Sequence, residues 1–200
     1  NIMPLGANKA AIMGVAGVST ADVVLLADNS SDTTDLSSVT FSSGIDSTYG
    51  EYIFKFYNIN PATDGAFFTF QVNGAGESGY NETMTSTVFY NNHSEDNSST
   101  NLAYIADFDQ AQGTAYQAIM TGIGNAADES TAGEFHLFNP SSTTYVKHWN
   151  SFMNMTQGPD PKSSNMIMAG YINTTTAIDD INFKMNSGNF DGLIKMWGVK

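Results

Sequence analysis

Cysteine is absent from this 200-residue chain, and basic residues are few. Without thiols the protein can form neither a disulfide nor a thiolate metal site. That argues against a disulfide-stapled secreted domain, but not against an assembly that matures in a reducing cytoplasm. Seven Lys and Arg stand against twenty Asp and Glu, which gives a formal net charge of −13. Because phosphate binding needs clustered cations, we expect no nucleic-acid partner.

The sequence also has no unbroken apolar run that could cross a bilayer. Its most apolar stretch, residues 10–27, is interrupted by Asp22, two glycines and the pair Ser19-Thr20. It is too short and too broken for a spanning helix, so we expect no membrane insertion. We interpret residues 1–35 as an N-terminal arm and linker, rich in small residues that suit docking on a neighbouring subunit. An edge strand of the same domain is the alternative for the arm.

Charged residues make up only 14% of the chain, and the helix formers Glu, Lys and Arg are correspondingly scarce. Ser, Thr, Asn and Gly are abundant instead, as strands with polar outer faces and many turns require. Ten to twelve short strands at close spacing predict an all-β fold for residues 36–200. We predict a two-sheet antiparallel β-sandwich of jelly-roll type.

The C-terminal stretch Ile178–Lys200 carries the clearest strand pattern. Ile181, Phe183 and Met185 alternate with polar residues, and a second apolar segment, Leu193–Val199, follows a turn rich in Gly, Asn and Asp. We predict a closing β-hairpin that pairs with strands formed earlier in the chain.

Two further strands, Glu51–Ile59 and Ala66–Val72, are separated by Asn60-Pro61 and Asp64-Gly65, and we predict a hairpin or meander here. Each should bury one row of side chains. The rows are Tyr52, Phe54 and Phe56 in the first strand and Phe68, Phe70 and Val72 in the second. Polar composition predicts surface loops at residues 73–81, 91–101, 122–133 and 157–164.

No motif in the chain specifies a catalytic chemistry. His136 and His148 fall in adjacent predicted strands and could face each other, but spacing places no third zinc ligand, and His93 lies apart. A Gly-x-Ser-x-Gly elbow is missing, and the glycines at 74, 76 and 79 are not followed by a helix or a Lys-Ser/Thr pair. We therefore assign no catalytic, cofactor-binding or metal-binding residue, and we expect a protein that is not an enzyme.

Acidic residues offer weaker alternatives. The pairs Asp107 with Asp109, Asp128 with Glu129, and Asp179 with Asp180 could serve a glycosidase, but neighbouring strand residues point to opposite faces. Loop carboxylates at Asp107, Asp109 and Asp128 could bind calcium, although the EF-hand spacing is missing. Aromatic residues could stack on sugar instead of filling a core. The aromatic candidates are Tyr49, Tyr52, Tyr57, Tyr80, Tyr90, Tyr116, Tyr145, Trp149, Tyr171 and Trp197.

Four runs of the sequence resemble virion structural proteins of tailed bacteriophages, especially marine ones. The first, Phe41–Asp64, contains Gly44-Ile-Asp-Ser-Thr-Tyr-Gly, and the second, Leu137–His148, begins Leu-Phe-Asn-Pro-Ser-Ser. The others are Ala169–Asp179 and Phe183–Gly198, so the resemblance spans most of the chain from about Val39. These runs look like turns and strands and contain no functional motif, so no residue role carries over.

The resemblance implies a non-enzymatic protein on the outside of a phage particle, as a capsid decoration protein or a part of the tail or a fibre. It implies partners of two kinds, further copies of the chain, for example in a trimer, and other virion proteins. The alternative from the residues is a lectin-like module whose loops 91–101 and 122–133 bind a glycan of the host surface.

Overall fold

The computed structural model describes residues 22–157 and 161–200. These residues form thirteen β-strands and one turn of 3-10 helix, Ala106–Phe108. The strands are β1 Val23–Asp28, β2 Val39–Phe41, β3 Glu51–Pro61, β4 Ala66–Gly74, β5 Met84–Ser94, β6 Thr100–Tyr104, β7 Ala111–Gly113, β8 Gln117–Ile123, β9 Thr131–Phe138, β10 Lys147–Gln157, β11 Lys162–Ile172, β12 Ile178–Met185 and β13 Phe190–Val199. Within the described part of the chain, no helix is long and apolar enough to cross a membrane.

The strands form two antiparallel sheets that pack face to face, which confirms the predicted β-sandwich. The large sheet has nine strands in the order β1-β13-β3-β9-β10-β11-β5-β6, with β7 paired to β5 beside this path. The small sheet has four, in the order β2-β12-β4-β8. The large sheet is therefore about twice as wide as the small one.

Alternation of side chains along each strand places the core between the sheets. The predicted inward rows of β3 and β4 are all buried, while Ile53, Lys55 and Tyr57 point the other way and keep some exposure. Period-2 patterning therefore identified the core-facing row of both strands, although Thr69 and Gln71 on the other side of β4 are buried as well.

Phe183 of β12 lies at the centre of this core. Its ring centroid is 5.3 Å from that of Phe54 and 5.2 Å from that of Phe56, both on the opposite sheet. On its own sheet it stacks on Phe68 at 6.0 Å. Further rings surround it within 6.5 Å, namely Phe41, Phe70 and Phe135. One side chain thus joins strands of both sheets.

The predicted closing hairpin is wrong, although both of its strands exist. β12 lies in the small sheet between β2 and β4, whereas β13 lies in the large sheet between β1 and β3. The turn between them crosses from one sheet to the other. Alternating apolar residues look the same in a hairpin and in such a crossover, because both bury every second side chain. The expectation that these strands complete sheets formed earlier is confirmed for both.

The hairpin or meander predicted over residues 51–72 is wrong for the same reason. β3 and β4 belong to different sheets, and their Phe rows face each other, with Phe56 and Phe68 5.1 Å apart in a T-shaped contact. The two crossovers lie side by side, joined by the hydrogen bond from Ala62 N to Asn189 O. Gly188 has a φ of +72°, and a Cβ there would lie 2.4 Å from Thr63 Oγ1, so this crossing needs glycine.

Several segments predicted as loops are strand. Residues 91–94 extend β5 and residues 100–101 begin β6, so the long polar loop shrinks to the turn of a β-hairpin. The loop over 122–133 narrows to residues 124–130. Residues 147–149 and 151–155 lie in the single strand β10. These stretches are polar because their outer side is open to solvent, and composition alone cannot separate such strands from loops.

The described part of the predicted N-terminal arm belongs to the large sheet. β1 pairs with β13 as an edge strand, from Val23 opposite Val199 to Asp28 opposite Lys195. After β1 the chain is held by Leu36, which exchanges backbone hydrogen bonds with Phe190. For residues 23–28 the edge-strand alternative therefore describes the structure. The rest of the predicted arm, residues 1–21, lies outside the described residues.

We predict that Phe183→Ala lowers the free energy of unfolding by about 3–5 kcal/mol, because it leaves a cavity where six rings meet. Urea denaturation followed by tryptophan fluorescence measures this loss. Tyr145→Ala is the control, since Tyr145 is 70% exposed, and it should change stability by no more than about 0.5 kcal/mol. Equal losses in the two variants would contradict the central place of Phe183.

Candidate interaction surface

The three histidines do not form a metal site. His136 and His148 do lie on adjacent strands, as predicted, but His136 is paired with Asn150 and the two imidazoles are not opposite each other. His136 Nδ1 lies 2.5 Å from Glu51 Oε1, and its Nε2 lies 3.3 Å from Glu134 Oε1. Across residues 22–157 and 161–200, no group of three or more His, Asp or Glu is arranged to hold a metal ion.

Several of the carboxylates considered for catalysis or calcium are engaged in local structure. Asp109 accepts a hydrogen bond from the hydroxyl of Tyr104, and Glu129 Oε2 accepts one from Ala126 N at 2.9 Å within its own loop. Asp180 Oδ2 lies 3.4 Å from Asn73 Nδ2. Burial raises the pKa of Asp179, and the charge of Asp180 adds to this effect. The contacts point to loop and strand packing and not to a shared catalytic centre.

The aromatic residues considered as sugar platforms are divided between core and surface. Tyr52 and Trp149 are buried, whereas Tyr57 and Tyr145 are exposed. The other six are half-buried, namely Tyr49, Tyr80, Tyr90, Tyr116, Tyr171 and Trp197.

A buried lysine at one end of the sandwich was not predicted from the sequence. Lys147 points inward from β10 and is fully buried, and its Nζ donates to the carbonyl oxygens of Thr174 at 3.1 Å and Thr176 at 2.6 Å. These bonds fasten the connection between β11 and β12. Desolvation lowers the pKa of Lys147, while the charge of Glu82 opposes this shift. The alternation along β10, in which Lys147 shares its face with Trp149, is the signal that could have revealed it.

Glu82, the acidic neighbour of Lys147, is half-buried and supports the end of β4. Its Oε1 accepts a hydrogen bond from Gly74 N at 3.1 Å. Burial raises the pKa of Glu82, and the nearby carboxyl of Glu77 raises it further. Lys147 and Glu82, one buried cation and one partly desolvated carboxyl, therefore hold neighbouring loops together.

The outer side of the large sheet divides into two halves of different chemistry. Strands β3, β9 and β13 carry the ion pair between Lys55 and Glu134, at 3.5 Å, together with Glu51 and Lys195. Strands β5, β6, β10 and β11 point no Asp, Glu, Lys or Arg outward. We call the outward side of these four strands the uncharged face. Its side chains are Thr85, Thr87, Phe89, Asn91 and His93 of β5, Thr100, Leu102 and Tyr104 of β6, His148, Asn150, Phe152, Asn154 and Thr156 of β10, and Ser163, Asn165, Ile167, Ala169 and Tyr171 of β11.

A row of apolar side chains crosses the uncharged face. The strand pairing sets Tyr104 beside Phe89, Phe89 beside Ile167, and Ile167 beside Phe152. All four are between 43% and 53% exposed, and Leu102 on the edge strand is 74% exposed. Single exposed apolar residues are common, whereas a contiguous row over four strands makes this side a candidate interaction surface. The row ends at Glu134, which is the partner of Phe152 on β9.

A ladder of asparagines runs beside this apolar row. Asn154 Nδ2 donates to Asn165 Oδ1 at 2.6 Å, and Asn165 Nδ2 donates to Asn91 Oδ1 at 3.0 Å. Asn154 Nδ2 also lies 3.0 Å from Ser163 Oγ. Because these amides already bond to one another, covering the face would leave fewer polar groups without partners.

The uncharged face is also the most regular part of the large sheet. The pairing of β10 with β11 and of β11 with β5 is unbroken over eleven residue pairs each. The pairings of β1 with β13, β13 with β3 and β3 with β9 are each interrupted by a bulge or irregularity. Bulges bend strands and increase twist, so the half without them presents the more even surface.

A shallow depression of about 380 Å³ lies at one end of the uncharged face. His148, Tyr171 and Phe138 line it, with Thr85 and Gly170 between them. A Cβ at Gly170 would lie 2.8 Å from the indole of Trp149 and 2.5 Å from the carbonyl oxygen of Thr85, so glycine allows Trp149 to pack closely here. The depression is aromatic and uncharged.

Sequence reasoning identified most of the strands of this surface but not the surface. It placed the outward polar residues of β5 in a loop, and it could not know that β5, β10 and β11 are neighbours. The available signal was the absence of Asp and Glu from three long strands of an acidic protein.

No protein-family model, curated protein or solved structure matches this chain.

We predict that Glu77→Gln makes the protein less sensitive to pH between about pH 4.3 and 7. The folded-state pKa of Glu82 is raised, so its contribution to stability is complete below the unfolded-state pKa and is lost as the pH rises through the folded-state pKa. Removing the neighbouring carboxylate lowers the pKa of Glu82, so the loss at neutral pH becomes smaller.

Urea denaturation at a series of pH values measures this difference between Glu77→Gln and the natural protein. Glu95→Gln, in the turn between β5 and β6, changes the net charge by the same amount and is the matched control. The stability gain of Glu77→Gln should grow with pH and exceed that of Glu95→Gln. Identical pH profiles for the two variants would contradict the role assigned to Glu77.

Proposed function

We propose that this chain is a non-enzymatic structural protein of a bacteriophage virion, displayed on the particle surface as a capsid decoration or a tail or fibre component. It assembles through its N-terminal arm with other copies and with other virion proteins. The observation that carries the proposal is the resemblance of four runs to phage virion proteins. In the fold these runs cover the connection from β2 to β3 with β3 itself, the connection from β9 to β10, the connection from β11 to β12, and the crossover from β12 to β13. They are therefore parts of the scaffold.

The order of the strands supports the finer description of the fold as a jelly roll. β1-β13-β3-β9 of the large sheet face β2-β12-β4-β8 of the small sheet, and the chain changes sheet at each step from β1 to β4 and again from β12 to β13. β5, β6, β10 and β11 extend the large sheet beyond this set. Viral capsid domains and lectins are among the proteins with jelly-roll folds. Fold alone does not choose between these functions.

The uncharged face supports a role in assembly. Interface cores are depleted in charged residues and enriched in aromatic ones, and they are surrounded by a polar rim. Phe89 and Phe152 lie in such a surrounding, with Glu134 and Asp109 at its border. A surface with this composition suits contact with other protein better than it suits solvent.

A glycan-binding module is the second candidate function, and the depression beside Tyr171 favours it. Sugars stack on aromatic rings and hydrogen-bond to uncharged polar groups, and His148 and Thr85 would supply such groups here. This position differs from the loops 91–101 and 122–133 that the sequence suggested.

We predict that removing residues 1–21 leaves a folded sandwich that no longer enters virions. The deletion keeps β1. A longer deletion, up to residue 35, would remove β1 together with its pairing to β13. Circular dichroism and thermal unfolding check the fold, and cryo-electron microscopy of particles from complemented infections checks incorporation. The full-length chain is the control and should be visible at repeated surface positions. Truncated protein found at those positions, or full-length protein found on no particle, would contradict the proposal.

If the second function holds, Tyr171→Ala should abolish binding on a glycan array, because it removes a partly exposed aromatic ring that lines the depression. Tyr145→Ala, an exposed tyrosine elsewhere, should leave binding unchanged. An array without signal for the natural protein would remove the glycan proposal.

A further inference from the structure

We infer that the uncharged face is a homotypic interface, in which a second copy of this chain packs its own uncharged face against the first. The inference extends the assembly part of the proposed function to a surface other than the N-terminal arm. It concerns association of the chain with itself, and can be tested without any particle.

Charge is the first argument for a second copy as the occupant. Each copy has a formal net charge of −13, so two copies repel each other unless they meet where carboxylates are absent. Facing carboxylates would add a direct penalty at the contact. The outward residues of β5, β6, β10 and β11 provide a broad area without such groups. A strongly charged partner, by contrast, would find no complementary charge on this face.

Size is the second argument. β5, β10 and β11 have eleven residues each, and at about 3.3 Å per residue each strand is roughly 36 Å long. β6 has only five residues and is roughly 17 Å long, and neighbouring strands lie about 4.8 Å apart. The face therefore offers about 600 Å² per copy, or about 1,200 Å² for a pair, at the lower end of the range of about 1,200–2,000 Å² for stable complexes.

Geometry is the third argument. In a twofold pair the same row meets itself, so Phe89, Ile167 and Phe152 of one copy would face the same residues of the other. Two sheets pack in this way when their inner faces are even and apolar, with strand directions about 30° apart. The asparagine ladder would enter the contact with its amide groups already bonded to one another. The result is an apolar centre with neutral polar rows on either side.

The test compares Ile167→Glu with Tyr57→Glu by sedimentation equilibrium of the purified full chain. Both side chains lie on the outer side of the large sheet, 43% and 41% exposed respectively, but only Ile167 belongs to the uncharged face. The natural protein and Tyr57→Glu should have twice the mass of one chain at micromolar to millimolar concentration. Ile167→Glu should raise the dissociation constant by about tenfold or more, because two carboxylates then meet in the contact.

Salt provides an independent measurement on the natural protein. Raising ionic strength from about 20 to 300 mM should strengthen the pair, since it screens the repulsion between two acidic bodies without weakening the apolar contact. If Ile167→Glu loses its native circular dichroism, Thr87→Glu, an exposed position on the same face, replaces it with the same expected result.

A natural protein that remains monomeric at every concentration and ionic strength tested would overturn the inference. Binding of a glycan by that monomer would make the uncharged face a sugar-binding surface instead. A folded Ile167→Glu or Thr87→Glu variant with unchanged association would also overturn it, as would equal dissociation of Tyr57→Glu. Deletion of residues 1–21 should leave the pair intact. If the truncated protein no longer forms the pair, the uncharged face binds the N-terminal segment and not the sheet of a second copy.

Discussion

The contact of aromatic rings around Phe183 holds the two sheets together, and the remaining architecture depends on it. Phe54 and Phe56 reach it from the large sheet, while Phe68 stacks on it within the small one. Aromatic pairs in edge-to-face geometry contribute beyond the area that they bury. Because this cluster sits under β3, β9 and β13, the sandwich is anchored in the half of the large sheet whose outer side carries ion pairs. The uncharged half extends beyond this anchor.

Because of this extension, the large sheet can bury its inner side in the core and present a separate surface on its outer side. β5 and β11 bury their inner side chains against β8 and the segment around the 3-10 helix, as the contact of Thr121 Oγ1 with Met166 Sδ and the bond of Ser86 Oγ with Gln117 Oε1 show. Their outer side carries cross-strand contacts, such as the asparagine ladder and the T-shaped pair of Phe89 and Tyr104. Phe89, Ile167 and Phe152 nevertheless stay about half exposed, and the inferred pairing of two copies would cover them.

The sequence predicted the core-facing rows of strands such as β3 and β4, because alternation depends only on neighbours along the chain. It failed for the pairing of β12 and β13, since a period of two does not distinguish strands lying side by side from strands facing each other. It also took part of β5 for a loop, because Asn91 and His93 are as polar as turn residues. The candidate surface depends on which strands are neighbours, and Lys147 depends on carbonyls 27 and 29 residues away. Such long-range relations cannot be read from the local pattern of residues along the chain.

β12 and β13 each lie one strand in from the edge of their sheets, and this position affects how the protein is made. β1 can pair only with β13, and β2 only with β12, so the first strands to leave the ribosome wait for residues 178–199 before either finds its neighbour. Until then β3 and β4 expose unpaired edges and rows of phenylalanine. Such long-range pairing makes folding slow and exposes the nascent chain to aggregation. Synthesis of this protein in quantity therefore places a demand on the chaperones of the cell that makes it.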